Sequence, residues 1–167
     1  NRLENHIKGW ESARSGFGEQ AVFSFNQPIA LQAFVVDTYL HRLNAPLSCH
    51  LFGLAPEHDL TDSMQSIPQW SVQLENGQRV VPDDFQAYMQ GRHYAEINES
   101  WPDALIIRLD QSQSTHWQPL LPFQALKPDT YHHFDAFETT GWFQHLLFLH
   151  YPNGGIHGLK AFGDYQS

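Results

Sequence analysis

Cations are scarce in this chain: Lys and Arg number 9 against 18 Asp and Glu over 167 residues, a formal net charge of −9. A surface so biased repels phosphate backbones and anionic lipid, which argues against nucleic acid or membrane as a partner. An anionic substrate would need a local positive site set against this field. Cysteine is scarcer still. The lone Cys49 rules out an intrachain disulfide and favours a reducing, cytoplasmic setting. In the apolar run Leu47–Phe52 it reads as a packed thiol rather than a nucleophile. No apolar run approaches the ~20 residues of a membrane-spanning helix. The segment Asn1–Asn5 has neither an initiator methionine nor the apolar centre of a signal peptide. His-Glu-x-x-His and paired-cysteine spacings are also missing. The 11 histidines are dispersed, and the reading is of no metal and no cofactor.

What remains is apolar and punctuated. Hydrophobic residues make up 41% and aromatics 14%, ample for the core of one domain spanning residues 1–167. Short strand-like runs recur: Ala21–Phe25, Ile29–Val36, Leu47–Leu54, Trp70–Leu74, Leu105–Leu109, His145–Tyr151 and Leu159–Phe162. Between them stand Pro, Gly, Asn and Asp, including Asn26-Gln27-Pro28, which predicts a turn. Pro56–Pro68 reads as a long surface loop. Asp83–Gln90 predicts a short helix, with acids at its start, Phe85 and Met89 on one face, and Gly91 after it. At the C-terminal end, Tyr151-Pro152-Asn153-Gly154-Gly155-Ile156 reads as a tight turn between two strands, with a glycine at positive φ. The pattern predicts an all-β jelly-roll sandwich.

Four short motifs stand in a fixed order: Gly9-Trp10-Glu11-Ser12-Ala13-Arg14, then Val36-Asp37-Thr38, then Trp117–Pro122 leading to Asp129–Phe134, then Tyr151–Gly163. Together they resemble the repeat of allantoicases, which hydrolyse allantoate in purine catabolism. The resemblance runs from about Gly9 to Gly163 and is least between Pro56 and Gln113. It implies a galactose-binding-like jelly roll and release of urea from allantoate to leave ureidoglycolate. Members commonly carry two repeats in tandem, and this chain has room for one. A homodimer, or association with a second repeat, is therefore expected to cover the surface a sister repeat would occupy.

Allantoate carries a carboxylate and two ureido groups on one carbon. Cleaving a C–N bond there calls for a cationic anchor, polar groups to hold the ureido arms, and acid–base help. The resemblance implies Arg14, Trp10, Asn44 and Asn153 as substrate-binding residues, and Glu11, Asp37 and His132 as catalytic ones. From the residues alone, Glu11 and Arg14 are equally a surface ion pair beside a packed tryptophan, and Asp37 equally caps a turn. His132 equally serves as a hydrogen-bonded structural histidine. Departures from the family pattern cluster at charged positions. Glu19-Gln20-Ala21 stands where His-Asp-Trp is usual. Leu40, His41 and Leu43 replace a His-Phe pair and a glycine, while Leu147 and Leu149 replace an arginine and an asparagine. Asn153 replaces an acid, and Gly158 an arginine. The scaffold signals survive while the site has changed, which is also what a non-catalytic repeat would look like. The second reading is accordingly a module that binds a sugar or small polar ligand, with Trp101, Trp117, Tyr94 and Tyr131 available for stacking.

Overall fold

The structure, a computed structural model, describes residues 10–11, 18–74, 76–79, 105–152 and 154–167. Its strands are β1 (Trp10–Glu11), β2 (Glu19–Asp37), β3 (Ser48–Leu54), β4 (Gln69–Leu74), β5 (Leu105–Asp110), β6 (Trp117–Ala125), β7 (Tyr131–Phe134), β8 (Phe143–Tyr151), β9 (Gly155–Ile156) and β10 (Gly158–Tyr165), all paired antiparallel. One helical turn, α1 (Leu60–Ser63), runs into the 3₁₀ turn Met64–Ser66. The fold is all-β, as the punctuated strands predict. The helix expected over Asp83–Gln90 lies outside the described residues.

Strand β2 organises the rest. Its first part, Glu19–Ser24, pairs with β8; its second, from Ile29, pairs with β10 on one side and β7 on the other. The register breaks between Ser24 and Ile29. Asn26-Gln27-Pro28 does not reverse the chain as predicted. It stays extended and carries β2 from one sheet layer into the other, at a proline that has no N–H to give a ladder. One layer is thus β2-β8-β3-β6, and the other is β10-β2-β7. A bulge between Leu31 and Ala33 then changes which residues face inward: Ile29 and Leu31 before it, Phe34 and Val36 after it.

The core lies between the layers. Phe34 and Val36 meet Leu51, Leu120, Leu146 and Phe148, and the Phe34 and Phe148 rings stand 5.8 Å apart. The outer face of β8 and β3 is buried as well. Leu147, Leu149, Phe52, Leu54 and Trp117 form a second cluster under Leu60, Met64 and Ile67, joined by Trp70 of β4 and Leu109 of β5. Burial on both faces is why β8 shows no alternation across Leu146–Leu149. The Pro56–Pro68 segment is therefore not a plain surface loop. Asp59 accepts the Asp62 amide at 3.0 Å, starts α1, and turns three apolar side chains onto the sheet.

Strand β6 is the layer's edge and contains Pro119 and Pro122. Its register shifts twice against β3, so the prolines fall where ladder bonds are already interrupted. The stretch from Glu138 covers this edge: its amide donates to Leu120 O at 2.9 Å, and the Thr139 hydroxyl donates to Pro119 O at 2.8 Å. The C-terminal strands correct another expectation. Strands β8 and β10 do not pair with each other as a hairpin; each pairs with a different part of β2, and β9 between them pairs with β1. Among the described residues, no helix is long and apolar enough to cross a membrane.

Candidate functional site

At the end of β2 the chain leaves the sheet through Thr38–Leu47, and this loop meets β9 and the start of β10. The Gly155 amide donates to Asn44 O at 2.8 Å, and the His157 amide donates to Asp37 O at 2.8 Å. Strand β1 adds its backbone to the same place, with Glu11 opposite Gly155 and Trp10 opposite Ile156. Three motifs distant in sequence thus share one pole of the sandwich. Arg14 and Asn153 lie outside the described residues.

Asp37 is 4% exposed, and its Oδ1 accepts the Tyr39 amide at 3.0 Å. A carboxylate this buried requires such donors. Thr38, fully buried, ties the loop to the 127–130 segment: its amide donates to Thr130 O at 2.9 Å, and its hydroxyl donates to Lys127 O at 2.6 Å. Leu40 is held at φ 64°, its amide donating to Asp129 Oδ1 at 2.8 Å. A branched side chain in the left-handed region costs on the order of 1 kcal/mol or more, and such strain concentrates at binding loops. The turn leads into half-buried His41, whose Nε2 is a buried atom. Its Nδ1 lies 3.2 Å from Asn44 Oδ1, which can only accept, so Nδ1 carries the proton and Nε2 is the basic nitrogen. The Tyr39 and His157 rings meet edge-on at 5.3 Å.

Gly154 and Gly155 are needed here, for a reason the turn signal did not contain. Neither has positive φ. A Cβ on Gly154 would enter the van der Waals shell of Asn44 O, and one on Gly155 that of the His41 ring. The glycines permit close approach of loop and strand. Gly155→Ala should therefore destabilise the protein by about 1–3 kcal/mol through overpacking. Chemical denaturation reads this directly, and an unchanged midpoint would mean that the His41 ring moves aside freely.

His132 sits beneath this pole, opposite Val36 in the β2–β7 ladder. Its Nδ1 donates to Val36 O at 3.0 Å, and its Nε2 accepts the Lys127 amide at 2.9 Å. Burial lowers its pKa, against the opposing pull of the Val36 carbonyl and of Asp37. The ring is neutral with both nitrogens committed to backbone, so the proton-transfer role expected of it has no nitrogen to act through in this geometry. His132 staples the 127–132 turn to β2. The residues that sequence reasoning undervalued are Tyr39, His41 and His157. His41 is one of the departures from the family pattern that follow Asp37-Thr38, and His157 stands two residues after the double glycine.

Of the aromatics offered for stacking, Tyr94 and Trp101 lie outside the described residues. Trp117 is 3% exposed and donates from Nε1 to Ser63 O at 2.9 Å, so it packs and does not present a face. Tyr131 is 48% exposed, with the Lys160 ammonium 5.4 Å from its ring centre. Among the described residues, no three or more His, Cys, Asp or Glu side chains are placed to hold a metal ion.

Comparison with known proteins agrees with the motif order. Residues 94–166 match the allantoicase repeat. An allantoicase structure superposes with a TM-score of 0.53 over 93% of this chain at 16% identity. Saccharomyces cerevisiae allantoicase superposes with a TM-score of 0.57 over 98% at 15% identity. The chain spans about a third of either structure, 32% and 34% of their lengths. No curated protein sequence matches. The fold of allantoicase is shared, and the resemblance read from the motifs is borne out.

Proposed function

Starting from an allantoicase-type repeat on the allantoicase fold, we propose that this protein is a hydrolase of allantoate or a close ureide. The supporting observation is the convergence of the Trp10–Glu11, Asp37–Asn44 and Gly154–His157 motifs through the Asn44–Gly155 and Asp37–His157 backbone bonds. In the proposed reaction, the bond between the central carbon and one ureido nitrogen breaks. The oxygen of water goes to carbon and a proton to the departing nitrogen, giving ureidoglycolate and urea. His41 Nε2, buried in the free protein, is the group proposed to carry that proton when substrate occupies the pole. Asn44 holds its tautomer, and Asp37 supplies negative charge at the base of the pole.

Arg14, close along the chain from Glu11, is the proposed anchor for the substrate carboxylate, because a guanidinium fork matches two oxygens where an ammonium does not. Trp10, Glu11 and Asn153 complete the proposed set, and a cytoplasmic setting goes with it. The test is to offer allantoate to the purified protein and follow urea and ureidoglycolate together. Equal release of both is expected. Arg14→Lys should raise KM about tenfold or more with a smaller change in kcat, as loss of uniform binding requires. A folded protein that releases no urea from allantoate or related ureides would end this reading.

A further inference from the structure

The opposite pole of the sandwich, where β8 begins and β3 and β10 end, holds a cleft of about 360 Å³. That size suits one small ligand. Its lining includes Glu57, Gln118, Thr140, Trp142, Phe143 and Gln166. Phe143 is fully buried and forms part of the sheet, whereas Trp142 is 39% exposed. The surrounding segments are held in place. The Glu138–Thr139 stretch is bonded to β6, the His58 amide donates to Ala55 O at 3.2 Å, and the Gln166 amide donates to Pro28 O at 2.9 Å. Among the described residues, the side chains of Glu57, Gln118, Thr140, Trp142 and Gln166 make no hydrogen bond within the protein.

The donor set selects the ligand. The lining has no Lys, Arg or His, and the chain's formal charge is −9, so an anion finds no partner there. An exposed indole beside amides, a hydroxyl and one carboxylate offers an apolar face next to both donors and acceptors. A pyranose has the matching surface, with C–H groups on one face and hydroxyls around its rim. We propose that this cleft binds a neutral sugar ring, stacked on Trp142 and hydrogen-bonded through Gln118, Gln166 and Glu57. The site is independent of the pole proposed for ureide hydrolysis.

The test titrates the whole chain with neutral hexoses and their disaccharides, and separately with arginine methyl ester as a cationic probe. Ligand-observed NMR and tryptophan fluorescence report binding. At least one neutral sugar should bind, with affinity lowered about tenfold by Trp142→Ala, restored in part by Trp142→Phe, and unchanged by His41→Ala at the far pole. Gln118→Ala gives a second variant in which the aromatic packing is intact, and it should weaken the same sugar. Failure of every neutral sugar to bind would overturn the proposal. Sugar binding indifferent to both Trp142→Ala and Gln118→Ala would do so too. Preferential binding of the cation, lost in Glu57→Gln and kept in Trp142→Ala, would replace it with a cation site.

Discussion

Replacing His41 by alanine should slow urea release from allantoate by about a hundredfold to ten-thousandfold, the usual contribution of a positioned acid or base. The expectation follows from how the ring is fixed. The left-handed turn at Leu40 precedes it, Gly155 lets the ring pack closely, and Asn44 Oδ1 at 3.2 Å sets the proton on Nδ1. Asn44→Ala should produce a smaller loss, because the imidazole remains but is no longer held in one tautomer. His132→Ala should behave differently. It loses two backbone hydrogen bonds, which together stabilise by about 1–3 kcal/mol, while the folded fraction keeps turning over. Steady-state kinetics beside denaturant titrations separate the two histidines. Full turnover in His41→Ala with none in folded His132→Ala would return the proton-carrying role to His132.

Mild acid should destabilise this protein above the range in which most carboxylates titrate. His150 is fully buried between the layers, its Nδ1 donating to Pro152 O at 3.2 Å, and burial pushes its pKa down to about 4. His50, packed against Phe52, Trp70 and Phe123, is lowered to about 4 for the same reason. A depressed folded-state value means that the unfolded chain binds protons first. The stability is therefore complete above the unfolded value near 6.5, falls as pH drops below it, and is fully lost once pH has passed through about 4. For His150 alone the loss is about 2 kcal/mol by pH 5 and about 3 kcal/mol at completion. Guanidinium titrations at pH 7, 6 and 5 measure it, and His150→Gln, which keeps a hydrogen-bond donor without a charge, should reduce the slope. A stability that stays level over this range would show that the buried rings do not titrate on unfolding.

The strands were legible because their apolar runs are local facts, and the Ile29–Val36 run reads as a buried strand without any knowledge of its neighbours. Pairing was not legible. Nothing in Asn26-Gln27-Pro28 distinguishes a chain reversal from a bend between layers, because either needs a proline at a break in the ladder. The double glycine is legible as special but its reason is not, since a close approach by His41 and Asn44 is set by a loop over a hundred residues earlier. The same holds for His132, whose two backbone acceptor and donor partners, Val36 and Lys127, are assembled only by the fold. Nothing in the sequence singles out Trp142, because exposure is a property of packing that a sequence does not print.

Strand β2 spans Glu19–Asp37, and among the described residues every strand that pairs with it, β7, β8 and β10, comes from Tyr131 onward. During synthesis, this stretch leaves the ribosome long before its partners exist. It carries the buried Phe34, Val35 and Val36 before the strands that pair with them exist. Contacts so remote in sequence make folding slow, and a waiting apolar strand is open to pairing with other chains. The strand that joins the two layers of the finished protein is, in the nascent chain, the segment most in need of a chaperone.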